Sequence, residues 1–490
     1  MNSVAYPCAS VPEVPEGHYS RLCPCPSGQW APHNEGQLHE LSERMKHEGA
    51  PGSTIPAAHV TRSGYVYLGQ FIDHDITRDL RSLDEAGCDV EHTLNYRTPR
   101  LDLDLLYGRS PSTVACLYEG DGFLRLGRTK AAGDAQPSDD DLPRQGDGTA
   151  IIVDSRNDEN LVIAQLHVLF AKFHNRILDL LKRNSRICIG PTGTNLFTQA
   201  RRFVTWHYQW VVMNDFLPHV VQVETLKDIQ KRGLHLFRRA YTPADAPIPL
   251  PVEFTMAAFR FGHSMVRDEY LLNKWHRLAS LRELLKMTKP GGGIRNQLPA
   301  DYVVSWKRFF TGGGALVNRG ENIDTFITPA LYNLSGRSVQ LFRPHVAKGS
   351  PRMGSQDPPP LPELTLRRGS RVRLPSGEEF ARTFGYKPLD PELIPARKED
   401  REFFQQDGLR GRTPLWYYLL REAAVEAVLE PEPESRLKIQ KLGTIGGRIV
   451  AEVIYQLLDA DYNSIMHAGR DWQPDQFRTM QNIVQFVSDN

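Results

Sequence analysis

LGQFIDHDITR occupies residues 68–78. A histidine stands between two aspartates, beside Phe71, Ile72 and Ile76. A helix is expected over 65–76, and on it Gln70, Asp73 and His74 lie three and four residues apart and share one face. Asp75 is turned about a quarter of a circle or more from His74 and can serve a different neighbour. Charge on a half-apolar helix is costly unless something pairs with it or binds it. The plain alternative is a structural histidine flanked by two capping or solvated aspartates.

The chain has 490 residues, with 59 Lys plus Arg against 58 Asp plus Glu. So balanced a charge carries no basic field for nucleic acid and no acidic solvating tail. No apolar run is long enough to cross a bilayer. The N-terminal MNSVAYPCASVPEVPEG lacks a basic segment followed by an apolar one, so no secretory signal is expected. The expected location is the cytoplasm, or outside the cell by a non-classical route. Cys8, Cys23, Cys25, Cys88, Cys116 and Cys188 do not form a disulfide framework and are read as reduced thiols. Cys23-Pro24-Cys25 resembles half a metal site but has no second cysteine pair at finger-like spacing.

Residues 1–35, rich in Pro, Gly and Ser, read as an irregular lead-in. Residues 94–107 read as an ordered loop, 133–148 as a solvated loop, and 335–362 as a surface excursion. Ile163, Leu166, Phe170, Phe173, Ile177 and Leu181 form one continuous stripe, the strongest helix signal in the chain. Asn157, Asp158 and Glu159 suit its N-terminus. Further helices are expected over 37–46, 196–216, 254–272, 278–286, 414–429 and 445–458. With no repeat and no strong strand series, the fold is read as mainly α with a few short strands. One large domain is expected over 36–490.

Three more constellations carry chemistry. In TPRLDLD (98–104), oxygen-bearing residues alternate with apolar ones. In an extended loop this points Thr98, Asp102 and Asp104 the same way. A hard cation such as calcium takes about six to eight oxygens, so one backbone carbonyl and a carboxylate from elsewhere could complete such a site. The alternative is an edge strand with a polar face. In DSRNDEN (154–160), Arg156 and Glu159 flank the start of the strong helix; an ordinary cap with a surface ion pair would use the same residues. In FTMAAFRFGHSMV (254–266), His263 lies in an apolar stretch with Arg260 three residues earlier. A neutral imidazole there suits a metal or haem, although a satisfied core histidine is the commoner case.

Taken in order, LGQFIDHD, TxRxDxDxLYG, SRNDE and AAFRFGH resemble the animal-type haem peroxidases of the peroxidase–cyclooxygenase superfamily, with the pattern nearest to bacterial members. The resemblance runs from about residue 65 to about 458. It implies a single helical haem peroxidase domain that uses hydrogen peroxide to oxidise small donors (halide, thiocyanate or phenolic) through a ferryl intermediate. It makes His74 the distal histidine, Arg156 the distal arginine and Gln70 a distal-pocket residue. His263 becomes the proximal iron ligand, and Arg260 and Arg368 partners of the haem propionates. Asp73 and Glu159 match carboxylates that can become ester-linked to the haem. Asp75, Thr98, Asp102, Asp104 and the carbonyl of Arg100 match a calcium site. One departure stands out: in TLRRG (365–369), Thr365 occupies the place of the asparagine that usually accepts the proximal N–H. Asn160 follows Glu159, which excludes a methionine–haem link there, and Arg260 replaces the tyrosine that fatty-acid dioxygenation needs.

Two other functions stay open on the residues alone. One is a haem- and calcium-binding scaffold with little turnover. The other is a metal-dependent phosphohydrolase of the HD type, built on His59 and His74-Asp75, for which no second matching pair stands out. GTIGG (443–447) lacks the spacing of a nucleotide loop and reads as helix packing.

Overall fold

The protein is described from a computed structural model covering residues 15–23, 33–47, 61–81, 89–108, 114–183, 195–237, 248–275, 278–288, 297–311, 317–334, 359–429, 438–469 and 472–488. Helix dominates, and the strands are short. No described helix is long and apolar enough to cross a membrane.

At the centre lies helix α2 (Ser63–Ile76), with twelve of its residues buried. A helix covered on nearly all sides belongs to the interior of a large core. Phe71 stacks on Phe170, ring centroids 5.1 Å apart. Phe170 belongs to α4 (Leu161–Arg183). Both rings meet Tyr208 edge-on at 6.4 and 5.7 Å, and Tyr208 belongs to α5 (Leu196–Val211). Three aromatic rings thus tie α2, α4 and α5 together. At the start of α2, a Cβ on Gly64 would lie 2.6 Å from the carbonyl oxygen of Phe309 and from the Phe310 ring, so only glycine fits.

The apolar stripe of 163–181 is the buried face of α4, as the periodicity predicts. Its lead-in differs in detail. A 3-10 turn, Ser155–Asp158, is capped by Asp154, whose side chain accepts from the Arg156 amide. Asn160 Oδ1 accepts from Val162 N at 2.8 Å. Capping therefore falls to Asp154 and Asn160, which frees Asn157 for another task.

The expected helix over 254–272 is broken. A turn, Val252–Thr255, ends before Ala257, whose φ of −133° and ψ of −73° are not helical. A 3-10 turn, Ala258–Phe261, and one α-turn, here α6 (Gly262–Met265), follow. Val266 is extended, and Glu269–Tyr270 pairs antiparallel with Ala279–Ser280. Nearly every residue of 250–261 is buried, so apolar density there does not mark a continuous helix.

The lead-in also needs correction. Gly17–Ser20 is a strand, β1, held between β2 (Leu94–Asn95, antiparallel) and β3 (Leu250–Pro251, parallel). The pairing partners lie far along the chain, beyond the reach of a local reading. The expected loop over 94–107 begins with β2 and ends in a short helix, α3 (Asp104–Tyr107). Segment 133–148 is not simply solvated: Asp141 and Leu142 are buried. Arg144 bridges Asp141 and Asp158 at 3.1 and 2.8 Å. Charges that pair with each other look, in composition, like charges that face water. Cys116 is disulfide-bonded, against the all-thiol expectation, whereas Cys23 is free and buried.

Helix α1 (Glu35–Arg44) packs on α7 (Leu361–Arg371). The expected excursion lies outside the described residues over 335–358, and its end already enters α7. Helix α8 (Leu415–Val425) packs on α9 (Thr444–Ala460). The expected helix over 414–429 stops early, because Val428–Leu429 pairs with Lys438–Ile439 as a strand. Glu422 accepts the Gly446 amide at 2.9 Å, and Glu426 the Thr444 amide at 2.8 Å. Residues 443–447 are thus a helix start capped by carboxylates.

Candidate functional site

A cavity of about 500 Å³ opens between α2, the Ser155–Asp158 turn, α6 and α7. That size falls in the range of about 300–1,000 Å³ for cofactor and ligand sites. Gln70, Asp73, His74, Arg156, Glu159, Arg260, His263 and Arg368 all line it. Residues up to 298 positions apart in the sequence therefore converge on one space.

His74 enters from α2. Its Nδ1 lies 2.8 Å from Asn157 Oδ1, which leaves Nε2 as the nitrogen turned to the cavity. Burial, helped by the Arg156 charge, pushes its pKa down to about 4. The imidazole is neutral at physiological pH. Gln70, one turn earlier, presents its amide to the same space.

Arg156 is anchored by Asp154. Its Nε and Nη2 donate to the Asp154 carboxylate at 3.0 and 2.7 Å. Nη2 also donates to the carbonyls of His74 and Thr77 at 3.0 and 2.7 Å. Among the described residues, Nη1 has no protein acceptor, and the side chain lines the cavity. Asp154 holds two further arginines: Arg78 Nη1 at 2.6 Å and Arg97 Nε at 2.8 Å. Burial raises its pKa, but Arg156, Arg97 and Arg78 together outweigh burial and hold it well below the usual carboxylate range. The guanidinium facing the cavity is thus positioned by a fixed negative charge behind it.

His263 comes from α6. Its Nδ1 is buried with no hydrogen-bond partner among the described residues. Burial and the nearby Arg260 push its pKa down to about 3, so it too is neutral. Trp416 of α8 supports the segment: its ring meets the His263 ring edge-on at 5.9 Å, and its Nε1 donates to the Arg260 carbonyl at 3.2 Å. Arg260 Nε donates to Thr255 O at 2.9 Å. Arg368, on α7, makes no hydrogen bond with a described residue; burial and Arg260 lower its pKa. Two cationic side chains side by side in a cavity, without a carboxylate bonded to them, suit an anionic group of a bound molecule.

Thr365 does not fill the role its sequence position implied. Its hydroxyl donates to Leu361 O at 3.0 Å, one turn earlier in α7. It does not line the cavity, and it leaves Nδ1 of His263 without an acceptor. A threonine inside a helix satisfies itself against the i−4 carbonyl more readily than it reaches across to a neighbour.

Beside α2, on the other side from the cavity, Asp75, Asp102 and Asp104 bring carboxylate oxygens within 4.8 Å of one another. Thr98 Oγ1 donates to Asp102 Oδ1 at 2.7 Å, and Arg100, within the same turn, donates its amide to Thr98 O at 2.9 Å. One oxygen of Asp75 and one of Asp104 are buried without a hydrogen bond among the described residues. Burial and mutual repulsion raise the pKa of Asp75. Such a cluster of buried oxygens suits a hard divalent cation. The loop does not reach this geometry as an extended strand. Leu101 and Leu103 adopt left-handed φ values of 56° and 58°, which buries both leucines and turns the aspartates together. Left-handed φ in β- or γ-branched residues is strained and clusters at binding sites. No histidine joins the cluster, and His59 lies outside the described residues. The HD-type reading thus finds no second metal-binding pair among the described residues.

Local reading missed Tyr19, Asn157, Asp154 and Trp416. Tyr19 lines the cavity from β1. The only trace in the sequence is Asp154, two residues before Arg156, at the distance of a cap.

Residues 73–289 match the model of the animal haem peroxidase family. The peroxidase mlt-7 of Caenorhabditis elegans is 31% identical over 190 residues, covering 37% of this chain and 25% of that protein. Peroxinectin A of Dictyostelium discoideum is 25% identical over 328 residues, covering 62% of this chain and 54% of that protein. The chain thus spans a quarter to about half the length of these relatives. Among solved structures, peroxidase A from Dictyostelium discoideum superposes with a TM-score of 0.57 at 16% identity, covering 97% of this chain and 93% of that one. The overall fold is shared.

Proposed function

We propose, from the match of residues 73–289 to the animal haem peroxidase family, that this chain is a haem peroxidase that uses hydrogen peroxide to oxidise small donors. Halide, thiocyanate and phenols are the donor classes in view. The observation that carries the reading is the pair of neutral imidazoles, His74 and His263, turned into one cavity together with Arg260 and Arg368, which have no carboxylate partner among the described residues.

The family implies haem, and these residues fit it. His263 would hold the iron through the nitrogen facing the cavity, and Arg260 and Arg368 would pair with the propionates. Haem, when bound, supplies the iron centre at which peroxide is reduced and the donor oxidised. His74 Nε2, neutral and unpartnered, takes a proton from incoming peroxide and returns it to the oxygen that leaves as water. The open Nη1 of Arg156 steadies the negative charge that develops on that oxygen. Asp154 keeps the guanidinium in place, so no reorganisation is needed when the charge appears. Gln70 offers an amide to water or halide beside His74. Asp73 and Glu159 are the candidates for ester bonds to the haem. Asp75, Thr98, Asp102, Asp104 and the Arg100 carbonyl are the candidate calcium ligands, and α2 links them to the adjacent His74.

One observation favours a second reading, a haem- and calcium-binding scaffold of low turnover. With Nδ1 of His263 unpartnered, the imidazole lacks the acceptor that raises ligand basicity. The deciding experiment is haem reconstitution of the parent, His263→Ala and His74→Ala, followed by stopped-flow mixing with peroxide and donor assays. The peroxidase reading expects the first variant to lose the parental haem spectrum and the second to keep it while reacting slowly. Haem bound by the parent without peroxide-dependent oxidation of any donor selects the scaffold. Mass spectrometry after peroxide turnover reads the esters.

A further inference from the structure

We propose that Asn157 and His167 form a positioning pair that selects the tautomer of His74. The inference rests on the reading of His74 as the proton acceptor for peroxide. Asn157 Oδ1 lies 2.8 Å from His74 Nδ1, and Asn157 Nδ2 lies 3.1 Å from His167 Nδ1. All three side chains are buried. Neither Asn157 nor His167 lines the cavity, so both act through His74.

The logic is that of a carboxamide with two unlike ends. Nδ2 only donates and Oδ1 only accepts. His167 Nδ1 receives the donor end, which turns the acceptor end to His74. His74 Nδ1 must then carry its proton, and Nε2, facing the cavity, is left bare. Were the amide to flip, Nδ2 would point at His74 Nδ1 and move the proton to Nε2. The cavity-facing nitrogen would then have nothing to accept with. His167 matters because it fixes the sense of the amide. Burial pushes its pKa down to about 4, so at neutral pH the ring is uncharged and Nδ1, 3.1 Å from Asn157 Nδ2, can accept from it. The backbone of Asn157 is held as well, since its N–H donates to Asp154 O at 3.0 Å. Asp154 is the residue that anchors Arg156, so one short turn orients both groups that face peroxide.

The test uses haem-loaded protein with ¹⁵N-labelled histidine, studied in its ferrous carbonmonoxy form by long-range ¹H–¹⁵N correlation. The parent is expected to show His74 protonated at Nδ1 and bare at Nε2. Asn157→Leu should lose that signature. Its peroxide reaction should slow on the order of a hundredfold, with haem content unchanged. Asn157→Asp, which keeps an acceptor, should restore the signature and most of the rate. His167→Phe should move His74 toward the Nε2-protonated form, with intermediate slowing. The proposal is overturned if Asn157→Leu and His167→Phe keep the parental nitrogen shifts, or if Asn157→Asp is as slow as Asn157→Leu. If the parent has the signature but ignores peroxide, the peroxidase reading fails and the tautomer assignment stands.

Discussion

Replacing Asp154 by asparagine should destabilise the protein through electrostatics rather than packing, since the two side chains are nearly the same size. Asp154 is fully buried. Its carboxylate is the shared partner of Arg78, Arg97 and Arg156, with contacts of 2.6, 2.8 and 2.7 Å. Removing one member of a buried ion pair costs about 3–5 kcal/mol, because the remaining charge stays buried without compensation. Asparagine keeps one accepting oxygen, so the whole set of charge-assisted bonds is not lost and the lower part of that range is the reasonable figure. A chain of this length unfolding as one unit has an entropy near ~1 kcal/mol/K, from about 2.1 cal/mol/K per residue. The melting temperature should therefore fall by about 3–4 °C. Calorimetry and circular dichroism on haem-free protein at neutral pH read this directly. The carboxyl pKa is depressed in the folded state, so its contribution is complete above the unfolded value of about 3.9 and is lost as pH falls through the folded value. The gap between parent and variant should hold from pH 8 to pH 5 and close only under strong acid. A melting temperature within 1 °C of the parent at neutral pH, or a gap already closing near pH 6, would refute the electrostatic reasoning.

Calcium should raise the melting temperature by about 3 °C at a hundredfold excess over its dissociation constant, from about 2.7 kcal/mol of linkage. A chelator should reverse the rise, and Asp102→Asn should abolish it; an unchanged parent in titrated calcium would exclude the carboxylate cluster as a cation site. Burial holds His174 and His207 at a pKa of about 4, below the unfolded value of about 6.5. The unfolded chain therefore binds more protons between those values, and stability that is complete above pH 6.5 should fall by roughly 3 kcal/mol per histidine toward pH 4. His174→Gln should flatten that decline in acid titrations followed by urea melts, and an equally steep curve would remove His174 as a cause. Gly64→Ala, whose new methyl would press on the Phe309 carbonyl and the Phe310 ring, should cost about 1–3 kcal/mol; a neutral result in chemical denaturation would mean that α2 shifts freely at its start.

The sequence by itself determined α2 and α4, because a buried helix face writes its period into consecutive residues. It also carried every side chain that resemblance assigned to the cavity except Thr365, since Gln70, Asp73, His74, Arg156, Glu159, Arg260, His263 and Arg368 do meet there. The aspartates of 98–104 were readable as a group, although their route to one another runs through two left-handed leucines and not through an extended strand. Only tertiary structure decided the rest. It broke the apolar run of 254–272 into short turns, brought Tyr19 from the lead-in to the cavity wall, and drew the Thr365 hydroxyl back onto its own helix. It also chose partners for the buried polar groups: Asp154 with arginines up to 76 positions away, and Asn157 with His74 across 83. The physical reason is one of range. Hydrophobic period records which side of an element leaves water, and that is a local property. A buried donor or acceptor must be matched by whatever the fold places within about 3 Å, and no neighbouring residue encodes which one that will be.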